Sequence, residues 1–136
     1  MRILVDTSIW SLALRKKDRN TSEAKIIEYL TEIIRKLDLV IIGPIRQEIL
    51  SGIADPKRFE ALRDRIAVFE DFELETEDYV LAADLYNQCR KTGIQGSHID
   101  YLICAVSLNN QFSIFTLDKD FENYKKVIPI RLEQLS

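Results

Sequence analysis

The feature that most constrains this chain is an alternation of very short apolar runs with longer segments of helical spacing. Ile3 to Val5 form one such run, closed by Asp6. LVIIG at 39–43 and SIFTL at 113–117 are two more. Runs this short, with no polar alternation, read as strands buried on both faces. Between the first two, Ile26, Ile27, Leu30, Ile33, Ile34 and Leu37 recur with helical period. Doubly buried strands need helices on both sides. The pattern therefore predicts an α/β fold with a mostly parallel central sheet of roughly four to five strands, flanked by helices.

Local signals punctuate that alternation. SIWSLALRKK has helical spacing, and Thr7 or Ser8 can cap it. Asn20 followed by Glu23 makes a capping box for a second helix. Pro44 suits the first position of a third, PIRQEILSGI. Asp55-Pro56 opens a fourth, which runs to about Ala67. Thr76, with Glu77 and Asp78 in its first turn, opens a long helix that ends in basic residues and Gly93. Another helix starts near Ser97. VFEDFELE is ambiguous between strand and loop, and DKDFENY combines a turn with a helical piece at 120–124. VIPIRL reads as a last strand, placed at an edge by Pro129. With no repeat, linker or low-complexity segment, residues 1–136 are expected to form a single domain.

Composition narrows the class. Hydrophobic residues make up 46% and charged residues 30%, as in ordinary soluble globular chains. Lys and Arg number 19 against 22 Asp and Glu, for a net charge of −3. That balance disfavours broad, non-specific nucleic-acid binding and leaves room for a local basic groove. Cys89 and Cys104 fall in apolar helical patterns without metal-site spacing, as reduced core residues of a cytoplasmic protein do. No apolar run is long enough to span a bilayer, and MRILVDTSIW lacks a signal-peptide pattern. The dinucleotide, phosphate-loop, zincin and nucleophile-elbow motifs are all missing.

Acidic residues occupy the positions where such folds place their chemistry. Sites in open parallel sheets form beyond the carboxyl ends of the strands. Asp6 ends the first strand and Asp118 ends SIFTL, with Asp120 two residues on. Glu48 lies in the second turn of the third helix, and Asp100 in the first turn of the helix from Ser97. Helix starts share a rim with the ends of the preceding strands, so these acids are expected to converge. Crowded carboxylates stay partly protonated unless a cation compensates them. Oxygen-only ligands suit Mg²⁺ or Mn²⁺, ions that support in-line phosphoryl displacement. Plainer readings stand beside this one. Asp6 can cap the first helix, Ser97 and Asp100 make a capping-box pattern, Glu48 can be solvated, and Asp118 or Asp120 can cap the piece at 120–124.

LVDTSIW, EILSG, IDYLICA and FTLDKDF, in this order and spacing, resemble the PIN-domain ribonucleases. Among these the chain is most similar to the VapC-type toxins of bacterial and archaeal toxin–antitoxin pairs, over nearly its whole length. The resemblance implies that Asp6, Glu48, Asp100 and Asp118 are the acidic cluster that binds Mg²⁺ or Mn²⁺, and that Asp120 is a less uniformly used acid. Thr7 and Thr116 match hydroxyls that orient ligands or solvent, and Gly52 a small residue that allows close packing. The implied activity is endonucleolytic cleavage of structured RNA, such as transfer RNA or a ribosomal RNA loop, by a metal-activated water. A small antitoxin whose tail covers the site, and a toxin homodimer, are also implied. His98, the only histidine, matches no required position. Its expected place is a helix start or a substrate contact.

The substrate needs cations of its own. Arg15, Lys16, Lys17 and Arg19 cluster at the end of the first helix and are candidate RNA contacts. Arg58, Arg63, Arg65, Lys125 and Lys126 are further surface charges, and all of these can equally be solvated. Trp10 and Tyr101 read as packing residues. Two other function classes remain open. One is a PIN-like module that binds RNA or protein without cutting. The other is a Mg²⁺-dependent phosphatase or phospho-receiver, although LVDTS lacks the second acid that both patterns want.

Overall fold

The computed structural model describes residues 1–15 and 18–135. Among these are three strands, β1 (Ile3–Val5), β2 (Leu39–Val40) and β3 (Ser113–Phe115). The helices are α1 (Thr7–Arg15), α2 (Thr21–Arg35), α3 (Gly43–Leu50), α4 (Pro56–Ile66), α5 (Thr76–Lys91), α6 (His98–Asn110) and α7 (Asp120–Lys125). The strands are parallel, in the order β2-β1-β3. Single parallel bridges extend both edges, from Ile41 to Asp71 and from Ile114 to Leu132. The five side-by-side segments match the expected sheet, but its outer two members are one bridge long. On the far edge Ile114 N–H donates to Arg131 at 2.8 Å and Glu133 N–H to Ile114 at 2.8 Å. VIPIRL cannot extend that ladder through Pro129, which has no N–H.

The capping signals formed as local chemistry dictates. Asn20 and Glu23 make both halves of their box, and Asp55 accepts the Arg58 amide. Gly93 follows α5 with φ +80°, a left-handed conformation that suits glycine. Gly43 begins α3, one residue before Pro44. α1 starts at Thr7, so Asp6 rather than Thr7 or Ser8 occupies the capping position, and its carbonyl accepts the Ile9 amide at 3.1 Å. The two hydroxyls are thereby released for other work. Gly52 is also corrected. Nothing lies within 4 Å of where its Cβ would be, so close packing does not explain it. Its φ of +87° does, because side chains with a Cβ rarely adopt that conformation.

One core unites these elements, from Leu4 and Val5 on β1 to Ile114 on β3 and Ile45 and Ile49 on α3. α6 lies deepest, with Tyr101 through Ser107 all buried, which explains its lack of a polar face. Cys104 and Cys89 are buried and free. Burial, first, and then the charge of Asp100 push the Cys104 thiol well above its ordinary range. Trp10 is buried against Phe69, and Tyr101 is buried too. No helix among the described residues is long and apolar enough to cross a membrane.

Candidate active site

Sheet register builds the site's floor. Val5 pairs with Phe115, so the next residues, Asp6 and Thr116, stand side by side beyond the strand ends. The Asp6 amide donates to the Phe115 carbonyl at 2.9 Å, which fixes that step. The Thr116 hydroxyl then donates to Asp6 Oδ2 at 2.7 Å. The Ser8 hydroxyl, on the first turn of α1, donates to the same oxygen at 2.9 Å. Ser8 Oγ in turn accepts the Leu117 amide at 2.9 Å, and Thr116 Oγ1 accepts the Asp118 amide at 3.0 Å. Two hydroxyls thus staple the end of β1 to the loop after β3. They hold a buried carboxylate with both donors on one oxygen.

The remaining acids arrive from helix starts. A short turn after α6, with Gln111 at φ +56°, sends the chain back into β3. The start of α6 therefore lies at the rim where β3 ends. The Ser97 hydroxyl accepts the Asp100 amide at 3.0 Å, and Asp100 Oδ2 takes the Tyr124 hydroxyl at 2.6 Å. Asp118 Oδ1 accepts the Asp120 amide at 2.9 Å, so it also orders the start of α7. Asp100, Asp118 and Asp120 each present a carboxylate oxygen within 4.8 Å of the others. Glu48 stands one step out, exposed on α3, and accepts the Thr7 hydroxyl at 2.6 Å.

Electrostatics ties Asp6 to this group. The Asp100 carboxyl is pushed up to about 6, mainly by burial, and further by the charges of Asp6 and Asp118. Hydrogen bonds from Tyr124 and Ser97 oppose that rise. Burial and the bond to Asp100 push the Tyr124 phenol far above its ordinary value, so it remains a donor. His98 is exposed, begins α6 and stacks on Tyr86, with ring centroids 5.2 Å apart.

The basic candidates lie elsewhere. Arg15 ends α1, about 12 Å along the helix from Thr7. It shares a groove of about 170 Å³ with Arg58 and Arg65 of α4. Arg19 donates to the Ala13 carbonyl at 3.0 Å, and Arg63 pairs with Asp64 at 3.0 Å. Lys16 and Lys17 lie outside the described residues. Three residues with a place in the site, Ser8, Tyr124 and Gly96, carry no sequence signal of that role beyond the position of Ser8 beside Asp6 and Thr7.

Comparison with known proteins agrees with this geometry. The PIN domain family model matches residues 3–127, and the chain belongs to that family. PIN domains are in general nucleases. No curated protein sequence matches. Solved structures share the fold at low identity, among them the following. FitAcB from Neisseria gonorrhoeae aligns with a TM-score of 0.77 and 15% identity, covering 97% of this chain and 96% of that one. VapBC from Salmonella typhimurium, bound to DNA, gives 0.76 and 13%, covering 98% and 97%. VapBC2 from Rickettsia felis, bound to a DNA fragment from its promoter, gives 0.73 and 15%, with both chains covered fully.

Proposed function

We propose that this chain is a divalent-cation-dependent endoribonuclease, the toxin of a VapC-like toxin–antitoxin pair. The observation that carries the reading is the convergence of Asp100, Asp118 and Asp120 within 4.8 Å, with Asp6 near enough to raise the Asp100 carboxyl. The donor set fits Mg²⁺ or Mn²⁺, being made of hard oxygens whose mutual repulsion a cation relieves. Asp6, Asp100 and Asp118 would hold the ion, with Asp120 and Glu48 completing its surroundings. When bound, such an ion makes water a competent nucleophile and neutralises charge on the scissile phosphate.

The chain's own residues pre-arrange the reaction. Ser8 and Thr116 fix Asp6 by one oxygen and leave the other without a hydroxyl donor from either. Thr7 holds Glu48 at the rim. In the reaction a water oxygen bonds to phosphorus and the bond to the ribose oxygen breaks. Arg15, Arg58 and Arg65 share one groove, a suitable track for the phosphates of structured RNA such as transfer RNA or a ribosomal RNA loop.

Partners follow from the same reading. The fold neighbours are VapBC and FitAB assemblies, which supports a small cognate antitoxin that covers the acids. Tyr79 and Val80 are 53% and 64% exposed on α5, apolar surface of the sort that a second copy or an antitoxin covers. We place this assembly in the cytoplasm and read residues 1–136 as one domain.

The test is Mg²⁺-dependent cleavage of RNA by the purified chain, alongside Asp6→Asn and Asp100→Asn. Both variants should lose at least a hundredfold in rate. Full activity in both would refute the site. A folded wild type that neither binds Mn²⁺ nor cuts RNA would leave the non-catalytic binding module as the better reading.

A further inference from the structure

We infer that Tyr124 is a positioning residue for Asp100, with Gly96 as the wall that sets where its ring stands. The inference rests on the reading of the rim as a cation site. Tyr124 is wholly buried, yet its hydroxyl reaches Asp100 Oδ2 at 2.6 Å. A phenol so placed has one direction to donate in, and that direction is the carboxylate.

Three neighbours fix the ring. Tyr101 packs on it at a centroid distance of 5.0 Å, and Phe121 meets it edge-on at 5.2 Å. Gly96 closes the third side. A methyl group there would collide with the Tyr124 hydroxyl and come within 2.7 Å of Cε1 and Cζ. Glycine at this position is therefore required by contact, unlike Gly52 and Gly93, which are required by backbone angle. Gly96 also immediately precedes Ser97, whose hydroxyl caps the turn that carries Asp100. One short segment thus controls Asp100 from both ends, through its amide and through its carboxylate.

The consequence for the site is directional. With Oδ2 held by Tyr124, the carboxylate cannot rotate freely, and it keeps a constant place relative to Asp118 and Asp120. A carboxylate held in advance loses less freedom when a cation binds, so the cation binds more tightly. Tyr124 need not touch the ion or the RNA to have this effect.

The experiment is calorimetric titration with Mn²⁺ alone on Tyr124→Phe, Gly96→Ala, Asp100→Asn, Asp118→Asn and the Asp100→Asn/Tyr124→Phe double variant. Thermal stability without metal is measured in parallel. Tyr124→Phe keeps the ring and removes only the hydroxyl. It should bind Mn²⁺ about tenfold more weakly, the scale of one charge-assisted hydrogen bond. In the Asp100→Asn background the same change should have no further effect, because positioning acts through Asp100. Gly96→Ala should weaken Mn²⁺ binding on its own, because it displaces the ring, and it remains informative if Tyr124→Phe does not fold. Wild-type affinity in Tyr124→Phe, with Asp118→Asn impaired, would overturn the inference and leave the cation site standing. An equal further loss in the double variant would also overturn it, by showing that the hydroxyl acts elsewhere. Absence of Mn²⁺ binding by folded wild type would remove both readings together.

Discussion

Two buried aspartates in this chain have almost equal exposure and opposite surroundings. Asp78, on α5, is 3% exposed, and Asp6, after β1, is 5% exposed. Asp78 spends both oxygens on neutral protein donors. Asn109 of α6 gives one hydrogen bond at 2.8 Å, and the Glu75 amide gives another at 2.9 Å. Asp6 takes both of its hydroxyl donors on a single oxygen, and its charge is felt at Asp100. Asp78 is a rivet between two helices, and Asp6 is one wall of a site. Burial alone does not separate them. What separates them is whether protein donors use up the carboxylate and whether other acids face it.

Substitution should separate the two settings cleanly. The largest effect belongs to the rim, where Asp118→Asn should cost at least a hundredfold in Mg²⁺-dependent RNA cleavage. Its melting temperature should hold or rise, since repulsion among the acids falls. A fall in stability as large as the fall in rate would make Asp118 a rivet as well. Next in size is Asp78→Ala. It breaks a capping box and the link to Asn109, at a cost of about 1–2 kcal/mol in denaturant unfolding. Cleavage per folded molecule should stay unchanged, and a specific loss of activity there would erase the contrast.

A smaller effect follows from the Asp100 carboxyl near 6. Its unfolded counterpart loses its proton near 4. Between those values the folded chain binds the proton more tightly, so this residue favours folding at low pH. That contribution is lost as pH rises through about 6. Unfolding of metal-free wild type and Asp100→Asn, compared from pH 4.5 to 7, should show wild type losing ground to the variant. A constant difference would mean that Asp100 is not tuned by burial. Smallest of all, His98→Ala should change cleavage by less than about threefold, because the imidazole stacks on Tyr86 and no histidine base is needed.

How much of this was legible in the sequence depends on how local the signal is. The positions of Asp6, Asp100, Asp118 and Asp120 were readable because each follows a strand or lies in the first turn of a helix, and the parallel fold sends those points toward one rim; Glu48, further along α3, has no such mark. Asp100 illustrates the limit. Its spacing from Ser97 predicted a helix cap, and the cap forms, yet the carboxylate itself goes to Tyr124. That partner is 24 residues away, and no local pattern marks it. Ser8 is a similar case. Read along the chain it was a possible cap, but the register of β1 with β3 turns it into a clamp on Asp6. Pro129 marked the last segment as an edge, but apolar pattern alone could not show that its pairing shrinks to the single bridge at Leu132. Local chemistry shows well which residues can act, and only the packed fold shows which partners hold them.

In the proposed function, the rim acids cut RNA with the help of a divalent cation. The most direct test is the cleavage rate of a structured RNA against Mg²⁺ concentration, for wild type and Asp6→Asn, with an EDTA control. The expected result is a saturable rise for wild type, no cleavage in EDTA, and a rate at least a hundredfold lower for Asp6→Asn at every concentration. Undiminished cleavage in EDTA, or equal rates for the two proteins, would contradict it.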